Sequence, residues 1–379
     1  MHARITGLGA VTAWGSGVEA TFAGALAGRI ATKPTEALDL PELATMHVGE
    51  ALRATAPGED RAGRLARLAV TEALADAGWD EAALRDPRTA LLVATTKAGI
   101  GVGQHVLEGR APNARLVDYP LWALAAGLAA ELGMRGHVST LSVACASGTA
   151  VLGHGWRLVR QGRADRVIAV GVDGLSEFIA RGFASLRATA RGHAQPFDLN
   201  RTGLVAGEAA GVVLLEGGAG PARARIVGYA GANDAVHVTG PAKDGRGLIR
   251  ALRGALDQAG IAAGDIDAAS AHGTATRYND QMEGVAYRAV FGDAGPPVHS
   301  LKGGIGHTMG AAGVVEAVVA VRGLQTGLWA PTAGFEEADP EVGLDIVCGA
   351  PRELPLRYVV SSSSGFSGIN AAVVLCRAQ

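Results

Sequence analysis

Residues 3–10 read ARITGLGA, and residues 224–231 read ARIVGYAG. Each is a short apolar run closed by glycines, the pattern of a buried strand entering a turn. The echo continues outward. Residues 73–78 (ALADAG) and 255–260 (ALDQAG) each close an amphipathic helix with glycine in the stop position. An acidic linker and a second apolar strand follow in both places, at residues 89–94 and 266–271, and both strands open into a threonine-containing loop. Farther on, a glycine- and alanine-rich loop enters a helix at residues 145–155 and again at 304–321. The spacing between copies shrinks along the chain, so the first half carries insertions that the second lacks. Two similar α/β halves packed together are the simplest architecture, residues 1–218 and 219–379, with the boundary near residues 217–220. Strands alternating with helices predict mostly parallel sheets covered by helices.

Composition limits the function. Of 379 residues, 48% are hydrophobic and 18% charged, which permits a large core and excludes global disorder. The 55 glycines, about twice ordinary usage, show no three-residue period, so collagen is excluded. A net charge of −2 argues against a nucleic-acid binder held by a basic face. No apolar run reaches the ~18 residues of a membrane span, and the first residues lack a signal peptide's apolar stretch. A soluble cytoplasmic protein is expected, with neither membrane nor nucleic acid as partner. Cys145, Cys348 and Cys376 form no C-x-x-C pair, which argues against a disulfide framework or a thiolate zinc site.

Four places could carry chemistry. Cys145 follows an apolar strand at 141–144 and precedes small residues that begin a helix. A thiol at a helix N-terminus feels the positive end of the macrodipole, which favours thiolate. His272, in HGTAT, ends an apolar strand, and His307, in KGGIGH, ends a glycine loop that enters a helix. Two histidines, each on a glycine loop at a matching place in a duplicated half, suggest a shared cleft and acid/base or oxyanion work. Metal ligation is the rival reading, but neither histidine has an i+3 or i+4 partner. The C-terminal loop 361–370, SSSSGFSGIN, is dense in glycine, so its backbone N–H groups can approach a reacting atom. Gly7 and Gly9 follow a strand as a dinucleotide fingerprint would, but Thr12 replaces the third glycine and no acidic ribose partner follows.

Together these segments resemble the elongating β-ketoacyl-[acyl carrier protein] synthases, type II condensing enzymes of the thiolase superfamily. The resemblance runs nearly end to end. It includes RITGLGAVTAWGSG from Arg4, Pro196-Phe197-Asp198 through Arg201, and GEAAG from Gly207. It continues through HGTATRYND with Glu283, LKGGIGHTMGAAGVVEA from Leu301, and GFSGIN from Gly365. It implies a duplicated five-layered αβαβα fold, usually dimeric, and decarboxylative condensation of malonyl-[acyl carrier protein] with an enzyme-bound acyl chain. Cys145 becomes the acyl-carrying nucleophile, and His272 and His307 the pair that promotes decarboxylation. Lys302 organises the second histidine, with Glu316 as its acidic companion. The N–H groups of Cys145 and Phe366 form the oxyanion hole, Phe366 also serves as gate, and Thr274 and Thr276 hold the phosphopantetheine arm. No metal or cofactor is implied beyond that arm, which the carrier protein supplies.

The resemblance also implies partners: an acidic acyl carrier protein, and a second chain that is a copy of this one or a paralogue. Arg61, Arg64, Arg67 and Arg201 are the candidate docking residues. Ser362, Ser364 and Ser367 depart from the usual Asn, Phe and Gly, which predicts a looser gate that admits bulkier or stiffer acyl chains. A non-catalytic chain-length-factor-like subunit is the alternative, but such look-alikes generally lose the cysteine. A thiolase would need a second reactive cysteine in a C-terminal glycine turn.

Overall fold

A computed structural model of the chain describes residues 3–36, 38, 40–52 and 59–378. The main elements of the first half are β1 (Ala3–Thr12), α1 (Arg61–Ala77), β2 (Thr89–Ala94), α2 (Leu121–Glu131), β3 (Val138–Leu141), α3 (Ser147–Arg160), β4 (Arg166–Asp173), α4 (Glu177–Ser185) and β5 (Ala209–Glu216). The second half contributes β6 (Ala224–Asn233), α5 (Arg246–Ala259), β7 (Ala268–Ser270), α6 (Arg277–Phe291), β8 (Val298–His299), α7 (Ala312–Thr326), β9 (Tyr358–Gly365) and β10 (Ile369–Arg377).

The two echoing strands lie side by side. β1 pairs antiparallel with β6, Ala3 opposite Ile226 and Ile5 opposite Ala224. From this seam the sheet order, β8-β7-β9-β10-β6-β1-β5-β4-β2-β3, is the same in both directions: each strand of one half has its counterpart at the equal distance in the other. Duplication is therefore built into the hydrogen-bonding order. The expectation of mostly parallel pairing needs correction. The seam and the two pairings on either side of it are antiparallel, and only the outer pairs, β4-β2, β2-β3, β9-β7 and β7-β8, are parallel. Antiparallel neighbours arise because β5 and β10 return directly beside β1 and β6 without a right-handed helical crossover.

Three apolar clusters define the layers. One joins Ile5, Leu152, Trp156, Val318 and Leu375, and is shared by both halves through α3 and α7. A second packs α1 on β1 and β5, and a third packs α5 on β6 and β10. Helix, sheet, paired helices, sheet and helix give the five-layered αβαβα arrangement. The strands are buried on both faces, which is why they read as continuous apolar runs rather than alternating ones. Both helix stops are as the sequence predicts: α1 and α5 end on Gly78 (φ 66°) and Gly260 (φ 68°), left-handed conformations that favour glycine.

Gly7 and Gly9 serve packing. A Cβ on Gly9 would fall 2.0 Å from the Ala69 carbonyl oxygen, so these glycines let α1 lie directly on β1. The contact that matters for the site is between the two central helices. A Cβ on Gly313 would sit 2.2 Å from Thr149 Oγ1 and 2.4 Å from Thr149 N. Only glycine permits this approach, and it brings the N-terminus of α3, beside Cys145, onto that of α7, beside His307. No helix among the described residues is long and apolar enough to cross a membrane.

Candidate active site

The turn before α3 sets the cysteine. β3 ends at Leu141, three residues short of where the apolar pattern suggested. Ala144 takes φ 51°, and Ser147 Oγ closes the turn by accepting from Val143 N (2.8 Å) and donating to the Ala144 carbonyl (2.6 Å). Gly365 leans on this turn, where a Cβ would press 3.1 Å from Cys145 N. The next residue, Phe366, points its N–H at the Cys145 sulfur, and its ring meets Phe183 edge-on, centroids 6.5 Å apart. The helix end does not dominate the thiol's acidity. Burial pushes Cys145 up to about 11, against the opposing pull of Lys302, Lys97 and the Phe366 N–H. Burial thus works against the thiolate that the helix end favours.

His272 follows β7 on a loop held by α6. Glu283 accepts from His272 N (2.7 Å) and Gly273 N (2.6 Å), while Asp280 accepts from Thr274 N (3.1 Å) and Phe197 N (2.8 Å). Burial and the nearby Asp280 charge push the Glu283 carboxyl up to about 8. Thr274 and Thr276 face each other, Oγ1 to Oγ1 at 2.8 Å. His307 is fixed by its main chain, its N–H donating to Val205 O (2.6 Å) and its carbonyl accepting from Gly207 N (2.9 Å).

The two imidazoles meet at 5.1 Å between centroids, nearly perpendicular at 88°. Burial, reinforced by the Lys302 charge, holds both well below the ordinary histidine range, so both are neutral near pH 7. Lys302 Nζ donates to Glu316 Oε1 at 2.5 Å. The Cys145 sulfur and one nitrogen from each histidine lie within 4.8 Å of one another. They share a cavity of about 500 Å³ with Thr274, Thr276, Ser364 and Phe366.

Every residue singled out in sequence for the chemistry is thus brought to one place. The docking candidates divide differently. Arg61 is buried in an ion pair with Glu208 (2.5 Å), and the Arg201 side chain, 3% exposed, pairs with Asp339 (2.7 Å). Both support the fold and cannot present charge to a partner, which corrects that expectation. Arg64 and Arg67 remain exposed, paired with Glu59 and Glu131. The mouth of the cavity instead carries the exposed Arg187 and Arg277.

Two residues escaped the sequence reading. Asp173 accepts from Thr95 Oγ1 (2.8 Å), Thr96 N (3.0 Å) and Gly310 N (2.7 Å), and ties the loop after β2 to the start of α7. Its signal was an acid closing an otherwise apolar strand. Asp234 accepts from Asn370 Nδ2 (3.2 Å), whose Oδ1 in turn accepts from Ser364 Oγ (2.7 Å), and so anchors the gate loop. No local pattern marks Asp234, since its partner is 136 residues away.

This fold and this constellation are those of a condensing enzyme, and the chain belongs to the β-ketoacyl synthase family. The family's N-terminal domain matches residues 4–219 and its C-terminal domain residues 223–336. The ketoacyl synthase alpha subunit of the tetracenomycin polyketide synthase of Streptomyces glaucescens is 33% identical over 98% of this chain and 96% of its own. The 3-oxoacyl-[acyl-carrier-protein] synthase 2 of Staphylococcus aureus is 32% identical over 98% and 97%. Among solved structures, the ishigamide ketosynthase/chain length factor superposes with a TM-score of 0.94 at 30% identity, covering 100% of this chain and 99% of that one. A ketosynthase solved in complex with its type II acyl-carrier protein gives 0.93 at 25% identity, with the same coverage.

Proposed function

We propose that this chain catalyses decarboxylative Claisen condensation of malonyl-[acyl carrier protein] with an acyl chain carried on Cys145, in fatty acid or polyketide synthesis. One observation carries the reading: the thiol and two neutral imidazoles converge within 4.8 Å at a cavity whose wall includes Phe366. In the first half-reaction the Cys145 sulfur attacks the acyl thioester carbonyl. The oxyanion accepts from the N–H groups of Cys145 and Phe366, and the carrier's thiol leaves with the cysteine's proton. In the second, malonyl thioester loses CO2, and the electron pair of the broken C–C bond becomes an enolate. Neutral His272 and His307 donate N–H bonds to the enolate oxygen. The carbanion attacks the Cys145 thioester, a C–C bond forms, and the cysteine sulfur leaves.

The phosphopantetheine arm, held near Thr274 and Thr276, is supplied by the carrier protein, and the reading assigns no further cofactor. Arg187 and Arg277 at the cavity mouth suit the acidic carrier. A cytoplasmic dimer, with a second copy or a paralogue, completes it. The alternative, a non-catalytic chain-length-factor-like subunit, draws on the ketosynthase/chain length factor assemblies among the structural neighbours. The retained Cys145, lining the cavity, favours catalysis. Incubation with acyl-carrier protein followed by intact mass measurement is expected to add one acyl group per chain at Cys145. Absence of the adduct supports the partner-subunit reading, and labelling at Cys348 or Cys376 overturns the site.

A further inference from the structure

We propose that Cys145, His272 and His307 also form a binding site for a thiophilic divalent cation, Zn2+ being the ion that fits, which reversibly closes the resting enzyme. This goes beyond condensation, in which no metal takes part. Neither histidine has a partner at i+3 or i+4 of one helix. Here the donors come from three separate turns, after β3, after β7 and before α7, so helical spacing is irrelevant.

The geometry is close to what the ion requires. Tetrahedral zinc with Zn–S of about 2.3 Å and Zn–N of about 2.0 Å sets its donor atoms about 3.3–3.6 Å apart. The sulfur and the two ring nitrogens lie within 4.8 Å of one another.

Independently, the ring atoms lack partners. Both nitrogens of His307 and Nδ1 of His272 are buried without any hydrogen bond. His299 also leaves Nε2 without a partner while its Nδ1 faces the Ala330 carbonyl at 3.1 Å, so among the described histidines it is His307, with both ring nitrogens bare, that stands apart. Unpartnered buried nitrogens cost stability unless a ligand meets them.

Charge is compatible. Binding exchanges the thiol proton for the metal: Cys–SH plus M2+ gives Cys–S–M+ and H+, which leaves through the cavity. The thiolate cancels one positive charge of the ion, and the nearby Lys302 ammonium is already matched by Glu316. Three protein donors leave a fourth position facing the cavity, where water binds and from which a chelator can extract the ion.

The test uses the full chain stripped with EDTA, with Co2+ as spectroscopic probe and Zn2+ as competitor. One Co2+ per chain is expected, with a thiolate-to-metal charge-transfer band and tetrahedral d–d bands that Zn2+ abolishes. The band is expected to persist in Cys348→Ser and vanish in Cys145→Ser. Wild type capped at Cys145 with iodoacetamide serves as a second control should that variant fold poorly. His307→Gln is expected to weaken binding at least about tenfold. Zn2+ should slow alkylation of Cys145 at least about tenfold, with EDTA restoring it. Absence of the band in wild type, its persistence in Cys145→Ser or in capped protein, or alkylation indifferent to Zn2+ would overturn the site. These readouts need no acyl substrate, so their failure and failure of the condensation reading are told apart.

Discussion

Lys302 Nζ lies 2.5 Å from Glu316 Oε1, and both side chains are almost wholly removed from solvent, fourteen residues apart across the loop that carries His307. The pair does two things at once. It places a positive charge near both imidazoles, and it matches that charge so that it can stay buried.

Removing one partner should therefore cost more than removing both. Glu316→Gln leaves a buried ammonium without its counter-charge and is expected to lose about 3–5 kcal/mol. Urea unfolding is the measurement, and the Lys302→Met, Glu316→Leu double variant should recover part of the loss. In Lys302→Met the charge that lowers both histidines is gone, so their affinities for protons rise. The acid limb of malonyl decarboxylation should then move to higher pH. An unmoved limb would mean that Lys302 acts only structurally.

Burial holds His299 at about 4, stacked on Trp329 with ring centroids 4.4 Å apart. The unfolded chain binds this proton near 6.5, the folded chain only near 4. Its contribution is thus fully present above about 6.5 and is lost as pH falls toward 4. The wild type should lose about 2 kcal/mol more than His299→Gln between pH 7 and pH 5. Equal slopes in the two proteins would show that His299 is protonated in the fold.

Because burial pushes the Cys145 thiol up to about 11, its thiolate fraction should be small at neutral pH. In a Cys348→Ser background, alkylation of Cys145 by iodoacetamide should accelerate about tenfold per pH unit from pH 7 to pH 9. A plateau near pH 7 would restore the helix-end thiolate that the sequence suggested.

Arg61→Ala should lose about 3–5 kcal/mol by stranding the buried Glu208. Arg187→Glu and Arg277→Glu, at exposed positions, should unfold within about 0.5 kcal/mol of wild type. Both should raise KM for carrier-bound substrate and spare a pantetheine-linked one. Equal losses with both substrates would place these arginines in the site and not in docking.

Ser364 lines the cavity and ties down Asn370. Ser364→Phe should fill the space beside Cys145 and lower acylation by bulky or rigid acyl groups more than by short saturated ones. Phe366→Ala should slow Cys145 acylation more than decarboxylation, since the ring, packed edge-on against Phe183, holds the Phe366 N–H toward the Cys145 sulfur. Chain-length profiles that coincide in wild type and Ser364→Phe would end the gate argument for that position.

The sequence by itself determined the duplication, the helix stops at Gly78 and Gly260, and the candidates Cys145, His272 and His307. Those features are local: an apolar run closed by glycine, or a cysteine before small residues, reads the same in any context. Tertiary structure decided the rest. The antiparallel seam depends on which strands meet, and side-chain patterns buried on both faces carry no trace of direction. The fates of Arg61 and Arg201 depend on Glu208 and Asp339, more than a hundred residues away. The burial that pushes the Cys145 thiol up depends on how much water the assembled halves exclude, a quantity that no helix end announces. The convergence of Cys145, His272 and His307 required the contact of Gly313 with Thr149, which only the packed central helices create.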